Sequence, residues 1–349
     1  MNIKLLTIWR EMNYGAELQA YATVKILQQL GHHVEMINIL LSDQSKPNIN
    51  GKIGKVISSF GPAQAKFDGF WAKHIPVTRR YYSVEELKKD PPEADVYLVG
   101  SDQVWNPDIT KSFAKLYFLD FGDEGIRRVS YASSFGTPNW TANQLTDDVK
   151  KLLNRFSYLS CREQSGVEIL NNTFGLSSSL VIDPTLLFAD YSELTGTITQ
   201  QSSLVYYPLD DDPDLMAYSV DLSKRLDLKL VNNKWSTKVL GAFTWDRVSI
   251  EEWVKNIAEA QFVITRSFHG LVFSILYRKP FAIIANRNNR GTRIINLLDL
   301  LGLSDRYYDS FQACDEAQPW NKPIDYDIVH ARLEHLRQDS IDYLKKRLA

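Results

Sequence analysis

The chain has 349 residues, 44% of them hydrophobic and 23% charged, with 40 basic against 42 acidic side chains and a formal net charge of −2. It is long for a single hydrophobic core and average for a folded protein, so two domains are expected and disordered or fibrous architectures are excluded. The charge balance supplies no global field for nucleic acid or an anionic membrane, and two cysteines, Cys161 and Cys314, exclude a disulfide scaffold or a four-cysteine zinc site and favour a reducing cytoplasm.

In chain order, residues 3–8 predict a buried strand that passes at once into Arg10-Glu11, too short an apolar run for a signal peptide. No later segment reaches the ~18 uninterrupted apolar residues that span a bilayer, so a cytoplasmic protein is expected, with peripheral contact at a membrane left open. A helix from about 17 to 30, closed by Gly31, and a strand over 34–39 follow. Residues 42–82 mix Gly, Ser, Pro and aromatics and read as an insertion with some helix. Alternation resumes with strands at 95–99, 128–132, 158–160 and 180–182, and Thr141-x-x-Gln144 has the spacing of a capping box.

A low-hydrophobicity stretch over 190–202 follows Asp183-Pro184-Thr185 and places a boundary near residue 195. Beyond it, strands are predicted at 204–207, 228–231, 262–265 and 281–285, with helices over 271–277 and 294–301 and a second capping box at Ser249-x-x-Glu252. A final helix over about 325–348 carries Leu333, Leu336, Leu344 and Leu348 near one stripe and is expected to pack on a domain. The fold class is therefore α/β, with two Rossmann-like parallel-sheet domains, 1–194 and 195–324, facing a cleft, and a closing segment 325–349. Ligands of such sheets bind outside the carboxyl ends of the strands, which is where chemistry is sought.

The most informative segment is the strand 262–265 running into Arg266-Ser267-Phe268-His269-Gly270 at a helix start. Free backbone amides and the helix dipole suit a phosphate or carboxylate there; Arg266 can add a bidentate grip and His269 can move a proton near neutral pH. A buried capping serine beside a structural histidine is the alternative. The segment resembles the motif of the polysaccharide pyruvyl transferases, in which a strand ends in a short Ser/Thr-rich, Arg-containing turn closing with His-Gly. Further motifs agree in order: Asn13-x-Gly15-Ala16-x-Leu18-Gln19-Ala20, Val99-Gly100-Ser101-Asp102-Gln103-Val104-Trp105-Asn106, Tyr131-Ala132-Ser133-Ser134-Phe135-Gly136, Ser160-x-Arg162-Glu163-x-Ser165-Gly166 and Asp183-Pro184-Thr185. The resemblance spans roughly residues 1–305 and departs from the family pattern in having Arg before Ser, and Phe268 where some members carry leucine.

The resemblance implies a glycosyltransferase-B-like fold and phosphoenolpyruvate as donor substrate, with no separate cofactor. The expected activity moves pyruvyl onto hydroxyls of a sugar in a surface polysaccharide, an exopolysaccharide or capsule or its precursor, and forms a ketal. The first domain is read as the acceptor side and the second as the donor side; whether the acceptor is lipid-linked stays open. A nucleotide-sugar glycosyltransferase or a non-catalytic glycan-binding protein on the same scaffold is the alternative.

His269, Arg266 and Asp102 are the catalytic candidates. Gly100 lets a ligand approach the backbone beside Ser101, and Asp102 can accept a sugar hydroxyl's proton or else cap its own loop. Asn13, Gly15 and Ala16 form a strand-to-helix turn with amides open to an anion or hydroxyl, or a plain tight turn. Arg162 can bind a carboxylate or phosphate, or pair with Glu163. Arg287, Arg290 and Arg293 make either an anion clamp or a solvated loop. Ser267 completes the binding set. Cys161 reads as a core residue, Trp9, Trp105 and Trp235 as sugar platforms or core, and His32, His33, His330 and His335 lack metal spacing, so no catalytic metal is expected.

Overall fold

The computed structural model describes residues 1–10, 12–41, 62–208, 212–234, 247–285 and 291–349. Their contacts divide them into two compact units, one holding 1–41, 69–188 and 336–349 and the other 62–68 and 189–335. Among the described residues, no helix is long and apolar enough to cross a membrane.

The first unit is built on five parallel strands, β1 (Asn2–Leu6), β2 (His33–Ile39), β3 (Val77–Tyr81), β4 (Val96–Val99) and β5 (Arg127–Ser130), in the order β3-β2-β1-β4-β5. All four residues of β4 and the last four of β1 are buried, as suits strands covered by helices on both faces. A short parallel pair, β6 (Ser160–Cys161) and β7 (Ser179–Leu180), continues past β5 through single bridges at Val129–Tyr158 and Ser133–Cys161. The helix Tyr14–Gln29 starts three residues earlier than its periodicity predicts, because the Asn13 side chain accepts from the amides of Gly15 at 3.0 Å and Ala16 at 3.4 Å.

β3 falls in the stretch read as an insertion. It is an edge strand with only two apolar residues, and its exposed Arg79 is tied to Glu86 at 2.5 Å and Asp90 at 2.8 Å while lying over Tyr81. Charge of this kind blocks further strand pairing, and it also erases the apolar signal by which a strand is recognised. Within β5, Arg128 is fully buried and donates to the carbonyls of Phe121 (2.7 Å), Ile126 (3.0 Å), Gly122 (3.0 Å) and Asp123 (3.1 Å), pinning the preceding loop. Burial, with Arg155 nearby, pulls its pKa down to about 10, which still leaves it charged at neutral pH.

The second unit has five parallel strands, β8 (Ser203–Tyr207), β9 (Lys229–Asn232), β10 (Phe262–Thr265), β11 (Phe281–Ile284) and β12 (Tyr307–Tyr308), in the order β12-β11-β10-β8-β9. Ser249 caps the helix Ile250–Glu259 by accepting from the Glu252 amide at 3.1 Å, as its spacing predicts. Thr141-x-x-Gln144 is different: the helix there begins at Thr146 with no side-chain cap, and a 3-10 turn over Asn143–Leu145 takes the predicted place. The last helix, Tyr326–Arg347, belongs with the second unit up to residue 335 and with the first from 336, where Tyr343 donates to the Ser130 carbonyl at 3.0 Å.

Lys279, 5% exposed, closes the turn before β11 and donates to Gln200 at 2.6 Å. Burial drops its pKa from 10.5 to about 8, with Glu259 opposing the shift. A lowered pKa on a base means the unfolded chain binds more protons between those values, so stability should rise as pH climbs from about 8 toward 10.5. Lys279→Met is expected to raise stability by about 1–3 kcal/mol at pH 7, with the gain over the native protein shrinking through that window, as urea titrations at several pH values would record.

Candidate active site

In the first unit, connections run from β1 to β2 on one side and on to β4 on the other, so β1 and β4 flank the point where strand order reverses. Gly100, Ser101 and Asp102 leave the carboxyl end of β4 at this point. An added Cβ at Gly100 would lie 3.2 Å from Leu5 and 3.3 Å from Thr7, so the turn is pressed against β1. Thr7 Oγ1 donates to the Ser101 carbonyl at 2.6 Å and accepts from Gln19 Nε2 at 3.0 Å, fixing the backbone from below. Asp102 then adopts a left-handed backbone, with φ of 78°, and its carboxylate accepts from the Gln103 amide at 2.9 Å.

Arg162 holds this turn from the side. Its side chain is 2% exposed, Nη1 lies 2.8 Å from Asp183 and 3.2 Å from Ser101 Oγ, Nη2 lies 3.3 Å from Asp102, and Nε lies 3.6 Å from Glu163. Asp183 also accepts from Ser101 Oγ (3.0 Å), the Thr185 amide (3.0 Å) and Thr185 Oγ1 (2.6 Å). Burial works against the guanidinium's charge, but the three carboxylates outweigh it and hold its pKa above the ordinary value. Arg162, expected to meet a ligand anion, thus meets carboxylates of its own chain, and Ser101, expected at a ligand, is fully buried among them. Asp102 is the member that keeps solvent access, with 17% of its side chain exposed. The amides of Gly15 and Ala16 are taken by Asn13, the plain-turn alternative for that loop.

In the second unit, order reverses between β8 and β10. Thr265 ends β10 and donates to the Tyr207 carbonyl at the end of β8 at 2.7 Å, while its Oγ1 accepts from the Ser267 amide at 3.0 Å. Ser267 caps the helix Phe268–Leu276, accepting from Gly270 at 3.4 Å. Arg266 pairs with Asp212, itself the cap of the helix Pro213–Arg225 beyond β8, and its Cζ lies 5.8 Å from the Phe311 ring centroid. His269, 8% exposed, sits in the first turn with its ring edge-on to Phe268 at 5.2 Å. Arg293 lies over the same Phe268 ring, its Cζ 5.7 Å from the centroid. Arg287 and Arg290 lie outside the described residues, as does Trp235.

The family model for polysaccharide pyruvyl transferase matches residues 13–288. The chain belongs to this family, whose members are transferases acting on polysaccharide. No curated protein matches the chain in sequence. Among solved structures, the UDP-GlcNAc 2-epimerase from Neisseria meningitidis bound to UDP-GlcNAc is 10% identical with a TM-score of 0.52, over 98% of this chain and 100% of that one. The S. aureus MnaA-UDP co-structure is 10% identical with a TM-score of 0.55, over 100% and 97%. At such identity the likeness concerns the fold alone, which is the expected glycosyltransferase-B-like class of Rossmann-like parallel sheets.

Within the family motif, Gly270 is fixed by packing. A Cβ there would lie 2.4 Å from Thr265 Oγ1 and 3.0 Å from Thr265 Cβ, and that hydroxyl is already held by two hydrogen bonds. Gly→Ala in an open helix gains about 1 kcal/mol, but here the overpacking reverses the sign. Gly270→Ala is expected to cost about 1–3 kcal/mol, measurable as a lower thermal midpoint.

Cys161 is fully buried against Gly166, and burial pushes its thiol well above the ordinary value, so it serves packing rather than nucleophilic attack. Trp105 is core as well, stacked on Phe118 at 5.6 Å with its indole N–H given to the Tyr117 carbonyl at 3.1 Å. Trp9 packs 4.2 Å from Trp71 and is 8% exposed. The sequence alone does not single out Asp183 and Asp212 as site residues. Each opens a helix as an Asp-Pro pair, a local signal for capping that says nothing about the arginine each one meets.

Proposed function

We propose that the protein transfers pyruvyl from phosphoenolpyruvate to two hydroxyls of one sugar in a surface polysaccharide or its precursor. The observation that carries this reading is the Arg266–Gly270 segment at the carboxyl end of β10: a guanidinium and an imidazole in and beside the first turn of a helix, in a chain matching the family across 13–288. Helix starts and guanidinium groups suit a phosphate or carboxylate, and the donor carries both.

In the reaction, the donor's methylene carbon gains a proton, which makes C2 electrophilic. A sugar hydroxyl adds at C2, the C2–O bond to phosphate breaks, and a second hydroxyl of the same sugar closes the ketal. Of the two hydroxyl protons released, one balances the proton placed on carbon and the other leaves with phosphate. Arg266 holds the donor's anionic groups as charge moves onto phosphate, and Arg293 supports the same end. His269 either carries the proton or binds the phosphate. In the first unit, Arg162 with Asp183 keeps the turn that carries Asp102 in place. No cofactor enters these steps.

The test is to incubate the protein with phosphoenolpyruvate and a panel of defined glycans, lipid-linked ones included, and read phosphate release and product mass. A product heavier by pyruvate less one water supports the reading. Release of a nucleoside diphosphate from nucleotide sugars, or glycan binding that consumes neither donor, would replace it with one of the alternatives.

A further inference from the structure

Arg266 does not face solvent unopposed. One terminal nitrogen pairs with the Asp212 carboxylate, and the other oxygen of that carboxylate accepts from the Leu215 amide at 2.9 Å. The guanidinium lies beside the Phe311 ring, and its Nε is buried with no hydrogen-bond partner among the described residues. The ion pair keeps limited solvent access, with side-chain exposures of 12% and 18%, and it sits just past the ends of the neighbouring strands β10 and β8. A cation that carries five donors and retains a buried, unused one is suited to a second acceptor.

We propose that Asp212 is a specificity-determining residue of the Arg266 anion seat: its carboxylate competes for the guanidinium, so that only a ligand rich in negative charge is held there. The proposal rests on the reading of Arg266 as a contact of the donor's anionic groups. Two like charges on one guanidinium repel each other, and a pair this poorly hydrated feels that repulsion more than an exposed one does. A monoanion gains little by sharing the site, whereas a molecule bearing both phosphate and carboxylate brings enough charge to displace Asp212 or bind alongside it.

Asn caps helices as well as Asp does, so Asp212→Asn removes the competing charge and keeps the Leu215 contact. Inorganic phosphate titrated calorimetrically is expected to bind Asp212→Asn about tenfold more tightly than the native protein. The tightening should vanish in Asp212→Asn/Arg266→Gln. Asp212→Ser, which also caps, serves as the second variant should the first fail to fold. Unchanged or weaker phosphate binding in a folded variant, no measurable binding to any of the proteins, or tightening that survives loss of Arg266 would overturn the proposal. If Arg266-dependent tightening is seen while phosphoenolpyruvate reacts with no glycan, the donor reading fails and the anion seat stands.

Discussion

Arg162→Met is expected to lower folding stability by about 3–5 kcal/mol, the cost of stranding buried carboxylates without their cation. Asp183 and Glu163 have side chains only 1% and 3% exposed, and both lie within 3.6 Å of the Arg162 guanidinium. Methionine fills much of the same volume, so the loss comes from charge rather than from a cavity. Urea unfolding at pH 7, compared at constant slope, measures it. The pH dependence has a definite sign: a carboxylate buried without its cation binds a proton more readily than the unfolded chain does, so the variant's deficit is full at neutral pH and narrows as pH falls through the carboxylate range. A deficit under about 1 kcal/mol would instead mean that Arg162 is loosely held by these carboxylates and available to a ligand, as the sequence alone suggested.

The contrast between what sequence predicted and what it missed follows from how far each interaction reaches along the chain. Central strands such as β4 and β10 are legible because parallel strands covered on both faces are continuous apolar runs. β3 and β12 are not: the first is an edge strand carrying Arg79 and Arg80, and the second has two residues. Capping is legible at Ser249, where an amphipathic helix follows at once, and misleading at Thr141, where the same spacing precedes a 3-10 turn. The site shows the same division. Arg266, Ser267 and His269 stand at a strand end and can be picked out locally, and so can Gly100 and Asp102. Their partners cannot, since Arg162 meets Asp183 across 21 residues and Arg266 meets Asp212 across 54, and periodicity holds no record of such pairings. Sequence leaves open whether Arg162 contacts a ligand or pairs internally, and the pairing partner the structure shows, Asp183, is distant in the chain.

If His269 moves the proton, His269→Gln is expected to lower phosphate release from phosphoenolpyruvate by about 10²–10⁴-fold, with little change in the unfolding midpoint. The side chain is 8% exposed at the second position of the helix Phe268–Leu276, where Ser267 and Gly270 fix the backbone independently of the imidazole. Glutamine keeps comparable size and can still donate a hydrogen bond, but it does not transfer protons; alanine removes both abilities. Comparing the two therefore separates the roles left open above. If His269 moves the proton to or from the reacting groups, both variants lose kcat to a similar degree and the KM for phosphoenolpyruvate stays near the native value. If it binds phosphate, glutamine retains much of the rate and alanine raises KM. Phosphate release measured with the glycan that gives a ketal product decides between them, and native turnover in both variants would remove His269 from the reaction.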